Sequence, residues 1–218
     1  MAEIQKARFN MVEQQVRPWN VSDEALLALL LSVPRDAFVP AGNEGMAFAD
    51  IELPTACGER MLAPKVQAKL VQELRLQKTD RVLEIGTGTG YMTALLANLA
   101  ERVVSLEQHA ELVTQAQNNL AKVGIRNAQV RQGDGAKGAA VDGPYDAIVL
   151  AGSVAEVPQA LLDQLQTGGR LVAIVGDEPI MRCELYTRTG TSTFTKATPW
   201  DCNAPRLHHF PTPSRFSF

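Results

Sequence analysis

From Arg81 onward the chain alternates short apolar runs with longer stretches in which apolar residues recur every three or four positions. The first pattern is that of covered strands and the second that of amphipathic helices. Strands are predicted at Arg81 to Ile85, Arg102 to Leu106, Ala128 to Gln132, Tyr145 to Leu150 and Gly169 to Val175, with helices at Tyr91 to Leu99, His109 to Val123 and Val157 to Leu165. Strands and helices in strict alternation build a parallel sheet with helices on both faces, so the fold class is α/β. After Asp177, Met181 to Arg188 and Ser192 to Thr198 read as an antiparallel hairpin about Arg188-Thr-Gly-Thr191. The N-terminal part reads as helical: Ala7 to Val16, then a helix capped by Ser22 that carries Leu26, Leu27, Leu30 and Leu31 and ends at Pro34. Beyond Pro64, Val66, Leu70 and Leu74 mark a third helix, placed beside the first strand.

The first strand runs into Gly86-Thr-Gly-Thr-Gly90, a glycine turn that opens a helix. Glycines here let main chain approach a ligand where side chains would block it. The spacing is G-x-G-x-G, which departs from the G-x-G-x-x-G of pyrophosphate-binding sites. Glu84, two residues before the turn, adds an anion, so an uncharged or cationic cofactor fits better than a pyrophosphate. Glu107 ends the next strand, about 20 residues past the turn, where a carboxylate grips a ribose diol in βαβ nucleotide sites. Asp134, in Gly133-Asp-Gly135, follows the third strand and is suited to accept from an adenine amino group.

Composition narrows the reading. The 218 residues are 45% hydrophobic, enough for one sizeable α/β domain with additions. Twenty-one Lys and Arg against 24 Asp and Glu give a formal charge of −3, without the basic excess of a general nucleic-acid binder, so no nucleic-acid ligand is expected. The longest early apolar run, Ala25 to Leu31, is too short to span a bilayer and has the wrong flanks for a secretory signal. The expected location is cytoplasmic, without membrane association. Cys57, Cys183 and Cys202 are odd in number and widely spaced, which predicts reduced thiols, and His109, His208 and His209 have no metal-ligand spacing, so no metal is expected.

The motifs resemble those of class I S-adenosylmethionine-dependent methyltransferases, and more narrowly the protein-L-isoaspartate O-methyltransferase family. The broader likeness rests on Val82-Leu-Glu-Ile-Gly-Thr-Gly-Thr-Gly-Tyr-Met-Thr93, Gly133-Asp-Gly135, Pro144-Tyr-Asp-Ala-Ile-Val149, Val157-Pro158 and Gly168-Gly169. The narrower one adds Met11-Val-Glu-Gln, Val33-Pro-Arg-Asp-Ala-Phe-Val39 and Asp50-Ile-Glu-Leu-Pro54, so that the likeness covers about residues 8 to 176. It implies a three-layer Rossmann-like methyltransferase fold with a mostly parallel seven-stranded sheet and an N-terminal helical addition. The divisions it implies are residues 1–77, a helical cap with a substrate-side loop; 78–198, the cofactor-binding α/β domain; and 199–218, a C-terminal extension packed on that domain. The implied cofactor is S-adenosyl-L-methionine, with S-adenosyl-L-homocysteine as product, held by Glu84, Gly86, Thr87, Gly88, Gly90, Tyr91, Glu107, Gln108, Asp134, Gly135 and Ala151. The implied partner is a protein or peptide methylated on an isoaspartyl carboxylate, a step toward repair of damaged proteins.

Methyl transfer from a sulfonium to a carboxylate needs alignment and exclusion of water more than it needs a base, because a carboxyl group with a reference pKa of about 4 is already ionised at neutral pH. The sequence departs from the family on the acceptor side. Where the family has Thr-x-Ser-x-Pro-x-x-x-Ala, this chain has Arg60-Met-Leu-Ala-Pro-Lys-Val-Gln-Ala68. Arg60 stands at the threonine position and Leu62 at the serine position, while Ala63 and Pro64 complete the substrate-side segment. No catalytic residue is assigned. Losing a hydroxyl that donates to a bound anion forfeits roughly 1.5–3 kcal/mol, which Arg60 or Lys65 could offset by charge. Leu150-Ala-Gly-Ser-Val154 and the proline- and aromatic-rich tail after Trp200 depart as well. The tail is expected to pack as strand and loop, with a lid or a dimer contact as the alternative. A changed acceptor, including a small molecule, and a non-catalytic cofactor-binding protein are the alternatives to isoaspartyl methylation. A nicotinamide-dependent oxidoreductase is disfavoured by the glycine spacing and Glu84.

Overall fold

The structure is a computed structural model in which residues 2–212 are described. Pro213, Phe216 and Phe218, part of the aromatic tail read from the sequence, lie outside the described residues. The chain opens with helix α1 (Ala2–Asn10), which continues as a wider turn over Met11–Val16 and a short 3-10 turn at Arg17–Trp19. The single helix expected over Ala7 to Val16 is therefore two geometries. The wider turn carries bonds of i to i+5 type and turns Met11, Val12 and Val16 into the core. Helix α2 (Glu24–Ser32) follows, and its cap is Asp23 rather than the expected Ser22. Asp23 Oδ1 accepts from the amides of Ala25 and Leu26 at 2.9 and 3.1 Å. The backbone amide of Ser22 instead donates to Gln72 Oε1.

Two two-residue strands, β1 (Leu53–Pro54) and β2 (Arg60–Met61), pair antiparallel and lead into α3 (Pro64–Leu74), with proline at its first turn. The α/β part then runs β3 (Arg81–Ile85), α4 (Tyr91–Leu99), β4 (Arg102–Glu107), α5 (Ala110–Lys122), β5 (Ala128–Gln132), β6 (Tyr145–Val154), α6 (Gln159–Leu162), β7 (Leu165–Asp177), β8 (Ile180–Arg188) and β9 (Phe194–Asp201). The seven-stranded sheet has the order β5-β4-β3-β6-β7-β8-β9. Strands β3 to β7 pair in parallel and β8 and β9 add antiparallel, which gives the mostly parallel Rossmann-like sheet expected.

Strand β3 sits at the centre, where the order of the sheet reverses between β4 and β6. A crevice at the carboxyl ends of the strands is built into such a reversal. Val82 packs on the face covered by α3 and α4, and Leu83 and Ile85 on the opposite face with Ile148 and Leu171. Alternation along the strand thus fixes which way Glu84 points. The helix expected over Val157 to Leu165 is only Gln159–Leu162, because Leu165 already belongs to β7 and pairs with Tyr145. The register of β7 then shifts at Gln166 to Gly169 before Arg170 meets Ala147, so its apolar residues mimic one more helical turn.

Candidate active site

The ends of β3, β4, β5 and β6 enclose a crevice of about 620 Å³. Gly86, Gly88, Glu107, Gln108, Asp134, Gly135 and Ala151, seven of the eleven residues expected to hold the cofactor, line it together. Glu107 is one of its acidic lining residues. The carboxylate is 5% exposed, and each oxygen takes one main-chain amide: Oε2 from Gly88 at 2.9 Å and Oε1 from His109 at 3.0 Å. Each carboxylate oxygen has a second lone pair, so the group that ties the glycine turn to the start of α5 keeps capacity for further donors. A Cβ placed on Gly88 meets nothing within 4 Å, so bare main chain faces open space there. Asp134 Oδ1 caps the short turn after β5 by accepting from Ala136 N at 3.0 Å. A side chain on Gly135 would meet Ile85 Cγ2 at 2.1 Å, so glycine is required for the crevice to close at this corner.

Four expected cofactor residues do not line the crevice. Glu84 is fully buried on the α4 side of β3, where Thr93 Oγ1 and Ser105 Oγ donate to its Oε2 at 2.5 and 2.7 Å. The pleat turns it away from the turn that its neighbour Ile85 approaches. Burial pushes its pKa up to about 7 against the lowering effect of the two hydroxyls, and the Glu107 charge adds to the rise. Thr87 is held against Ser105 Oγ at 2.5 Å. Gly90 is a seat for α5, since a Cβ there would stand 3.2 Å from the Cβ of Ala116. Tyr91 points into the N-terminal core, edge-on to Phe38 at 5.6 Å between ring centroids and beneath the Arg35 guanidinium at 4.8 Å.

The substrate-side segment divides in the same way. Arg60 lines the crevice, with 56% of its side chain exposed and NH1 3.8 Å from Glu52 Oε2. Leu62 is buried in the core with Ala63 and Pro64, and none of the three lines the crevice. The main chain at Leu62 is fixed by Arg35, which is fully buried and donates to Leu62 O at 2.8 Å, Ala47 O at 2.9 Å and Gln67 Oε1. Lys65 is engaged elsewhere, 2.5 Å from Asp50 Oδ2 and 4.1 Å above the Trp19 ring.

Sequence reasoning missed the opposite wall. Pro205, Arg206, Leu207, His208 and Phe210 line the crevice from the tail, and Glu59 from the loop before β2. The tail is bridged to the end of β6: Ser153 N donates to Pro205 O at 2.7 Å, Leu207 N to Ser153 O at 2.8 Å, and Ser153 Oγ to Ala204 O at 2.8 Å. A Cβ on Gly152 would meet Leu207 Cγ and Pro205 O, both at 2.9 Å. Leu150 to Val154 and the tail, both expected from the sequence to depart from the family, thus form one feature, a seat and its occupant. The described part of the tail packs against the end of β6 and forms a wall of the crevice.

A second, broader groove of about 1240 Å³ adjoins the first and is lined by Glu52, Gly58 and Glu178 among others. Glu59, Arg60, Pro205, Arg206 and His208 face both spaces and form the junction. Around Glu59 Oε1 stand Gln108 Nε2 at 3.1 Å, His109 Nε2 at 3.1 Å and His208 Nε2 at 3.3 Å. Cys57, at the loop's outer side, has Sγ 3.8 Å from Glu111 Oε2; desolvation and the carboxylates of Glu111, Glu107 and Glu59 push its pKa up and oppose a reactive thiolate. Among the described residues no cluster of His, Cys, Asp and Glu is arranged to hold a metal ion, and no helix is long and apolar enough to cross a membrane.

Comparison with known proteins agrees with this geometry. The family model for protein-L-isoaspartate(D-aspartate) O-methyltransferase matches residues 6–200. A protein-L-isoaspartate O-methyltransferase of Methanoculleus marisnigri is 44% identical over 171 residues, 78% of each chain. A protein-L-isoaspartate O-methyltransferase 1 of Rhodopseudomonas palustris is 43% identical over 183 residues, 84% of this chain and 75% of the relative. Among solved structures, a protein-L-isoaspartate O-methyltransferase superposes with a TM-score of 0.80 at 25% identity, covering 92% of this chain and 65% of its own. A Plasmodium falciparum chain solved with S-adenosyl-L-homocysteine shares the fold, with a TM-score of 0.77 at 19% identity over 92% of this chain and 97% of that one. The chain belongs to the protein-L-isoaspartate (D-aspartate) O-methyltransferase family and is, with it, an S-adenosylmethionine-dependent methyltransferase.

Proposed function

We propose that the crevice at the strand ends holds S-adenosylmethionine and that the adjoining groove presents to it the carboxylate of an isoaspartyl residue in a damaged protein. The observation that carries this reading is the junction. A cradle of bare main chain and acidic groups opens, across Glu59, Arg60, Arg206 and His208, onto a second, solvent-open groove. When bound, the cofactor supplies a methyl group on a sulfonium that departs as a neutral thioether.

The residues of the chain fit that group. Glu107 has lone pairs for a ribose diol, and Gly88, with open space where its side chain would be, leaves room for the methionine portion, while the space over Gly86 is taken by Leu207. Asp134, Gly135 and Leu106 stand where the base would lie, and Gln108 and Ala151 complete the walls. Glu84, Thr87, Gly90 and Tyr91 act from behind, by fixing the turn. The acceptor carboxylate needs no base, and Arg60, loosely held by Glu52 and largely exposed, attracts it to the junction. Leucine at position 62 removes the family's hydroxyl from this segment, which is the observation that favours a second reading, transfer to a different acceptor such as a small molecule. A cytoplasmic location belongs to the same proposal and is consistent with three free cysteines.

Transfer of labelled methyl from S-adenosylmethionine to an isoaspartyl peptide, with the matching aspartyl peptide as control, tests the reading. Label on the isoaspartyl peptide alone is expected. Binding of S-adenosylhomocysteine without transfer to that peptide would favour the second reading.

A further inference from the structure

If the acceptor is an anion, something at the junction must donate to it, and the segment that does so in the family carries Leu62, buried and turned away from both spaces. Of the residues common to crevice and groove, the side chains able to donate are Arg60, Arg206 and His208. Arg206 is anchored through NH2, which donates to Gly176 O at 2.7 Å and to Asp177 Oδ1 at 2.8 Å, while its NH1 is buried without a hydrogen-bond partner and stays a second candidate donor. Arg60 is long and largely exposed, with NH1 3.8 Å from Glu52 Oε2, and is suited to attraction over a distance more than to one fixed bond.

His208 is the one of the three whose donor group is held by a junction carboxylate at hydrogen-bonding distance. Its Nε2 stands against Glu59 Oε1, and that oxygen is itself fixed by Gln108 and His109 from the turn that also positions Glu107. A carboxylate that holds one ring nitrogen orients the imidazole and leaves the other nitrogen, Nδ1, for a ligand. As an imidazolium both nitrogens donate; as neutral imidazole with its proton on Nε2, Nδ1 only accepts.

Resting on the isoaspartyl reading above, we propose that His208 is a catalytic residue, an imidazolium that donates from Nδ1 to the acceptor carboxylate and replaces the hydroxyl absent at position 62, with Glu59 as its positioning residue. The acceptor oxygen attacks the methyl carbon, the carbon–sulfur bond breaks with its electron pair going to sulfur, and no proton is transferred. His208 and its neighbours on the tail lie beyond the residues that match the family model, which end at 200. The donor has therefore moved from the loop to the opposite wall.

Protonation is the handle for a test. The charged and titratable groups about His208 are Glu59, Arg60, Glu52 and Glu178 from the facing segments, His109 through Glu59, with Glu107, Glu111 and Cys57 around that carboxylate, and Arg206 and His209 on its own segment. The kcat/KM for an isoaspartyl peptide should be higher at the acid end of the profile, where the donor is an imidazolium, than at the alkaline end, while the peptide stays anionic throughout. His208→Gln should lower kcat/KM at the acid end by about 10- to 150-fold and flatten the profile. Glu59→Gln should lose part of the effect, and His109→Gln should keep the falling limb. Binding of the same peptide to the protein saturated with S-adenosylhomocysteine, followed by fluorescence polarisation, should show the same pH dependence without turnover. A profile unchanged in His208→Gln, or one that rises with pH as a general base would require, overturns the proposal. Wild-type protein that binds S-adenosylhomocysteine but never methylates the peptide removes the isoaspartyl reading itself.

Discussion

The two walls of the crevice proposed as the active site, one assigned to the cofactor and one to the acceptor, are made in different ways. The cofactor-side wall comes from consecutive β–α units, the ends of β3, β4 and β5, and its groups are locked by short-range bonds such as Gly88 N to Glu107 and Ala136 N to Asp134. The acceptor-side wall is assembled from Glu59 and Arg60 on a loop early in the chain and from Pro205 to Phe210 near its end, joined through Ser153 and the Glu59 knot. One wall repeats a local plan that the sheet imposes. The other depends on partners about 150 residues apart and can change without disturbing the sheet.

Removing the tie that anchors the acceptor loop breaks this comparison most severely. Arg35→Ala leaves Leu62 O, Ala47 O and Gln67 Oε1 without their buried donor, so a loss of about 3–5 kcal/mol in unfolding free energy is expected by denaturant titration. Burial pushes the guanidinium pKa down to about 10, yet it stays charged at neutral pH.

Next in size is Leu62→Ser. Resemblance alone would have this substitution restore a family hydroxyl; in the structure the side chain is packed in the core, so the variant should lose about 2–4 kcal/mol and gain no methyl transfer. A rate increase in a labelled-methyl assay would show that the loop turns position 62 toward the acceptor.

Glu84 probes the cofactor-side wall from behind. Its folded pKa is raised from the ordinary 4.5 to about 7, so the folded state binds this proton more tightly than the unfolded state does. The stabilising contribution is full below about 4.5, falls by up to about 1.4 kcal/mol per pH unit and is lost above about 7, a swing on the order of 3 kcal/mol. Glu84→Gln should flatten that part of the pH dependence of unfolding, measured against wild type at several pH values.

The boundaries of β3 and α4 and the position of Glu107 were legible because apolar periodicity and the glycine turn are local signals. The direction of Glu84 was legible in principle, since two-residue alternation places it opposite Leu83 and Ile85, but its chemistry drew the reading toward the ligand. Tyr91 follows the turn in sequence and faces Phe38 in space, a contact that no spacing announces. The tail gave no periodicity at all, because its path is set by Ser153 and by the absence of side chains at Gly86 and Gly152. One signal was available: glycine and serine stand together in Leu150 to Val154, and a seat for another segment is a physical reason for such a pair. The Glu59 knot joins residues separated by 49, 50 and 149 positions, beyond the reach of any motif.

Calorimetric titration of S-adenosylhomocysteine into wild type and Glu107→Ala tests the central claim most directly. The expected result is one site per chain in wild type and affinity lower by about 10- to 150-fold in the variant, with the fold retained by circular dichroism. Equal affinity in the two proteins, or no binding to folded wild type, would contradict it.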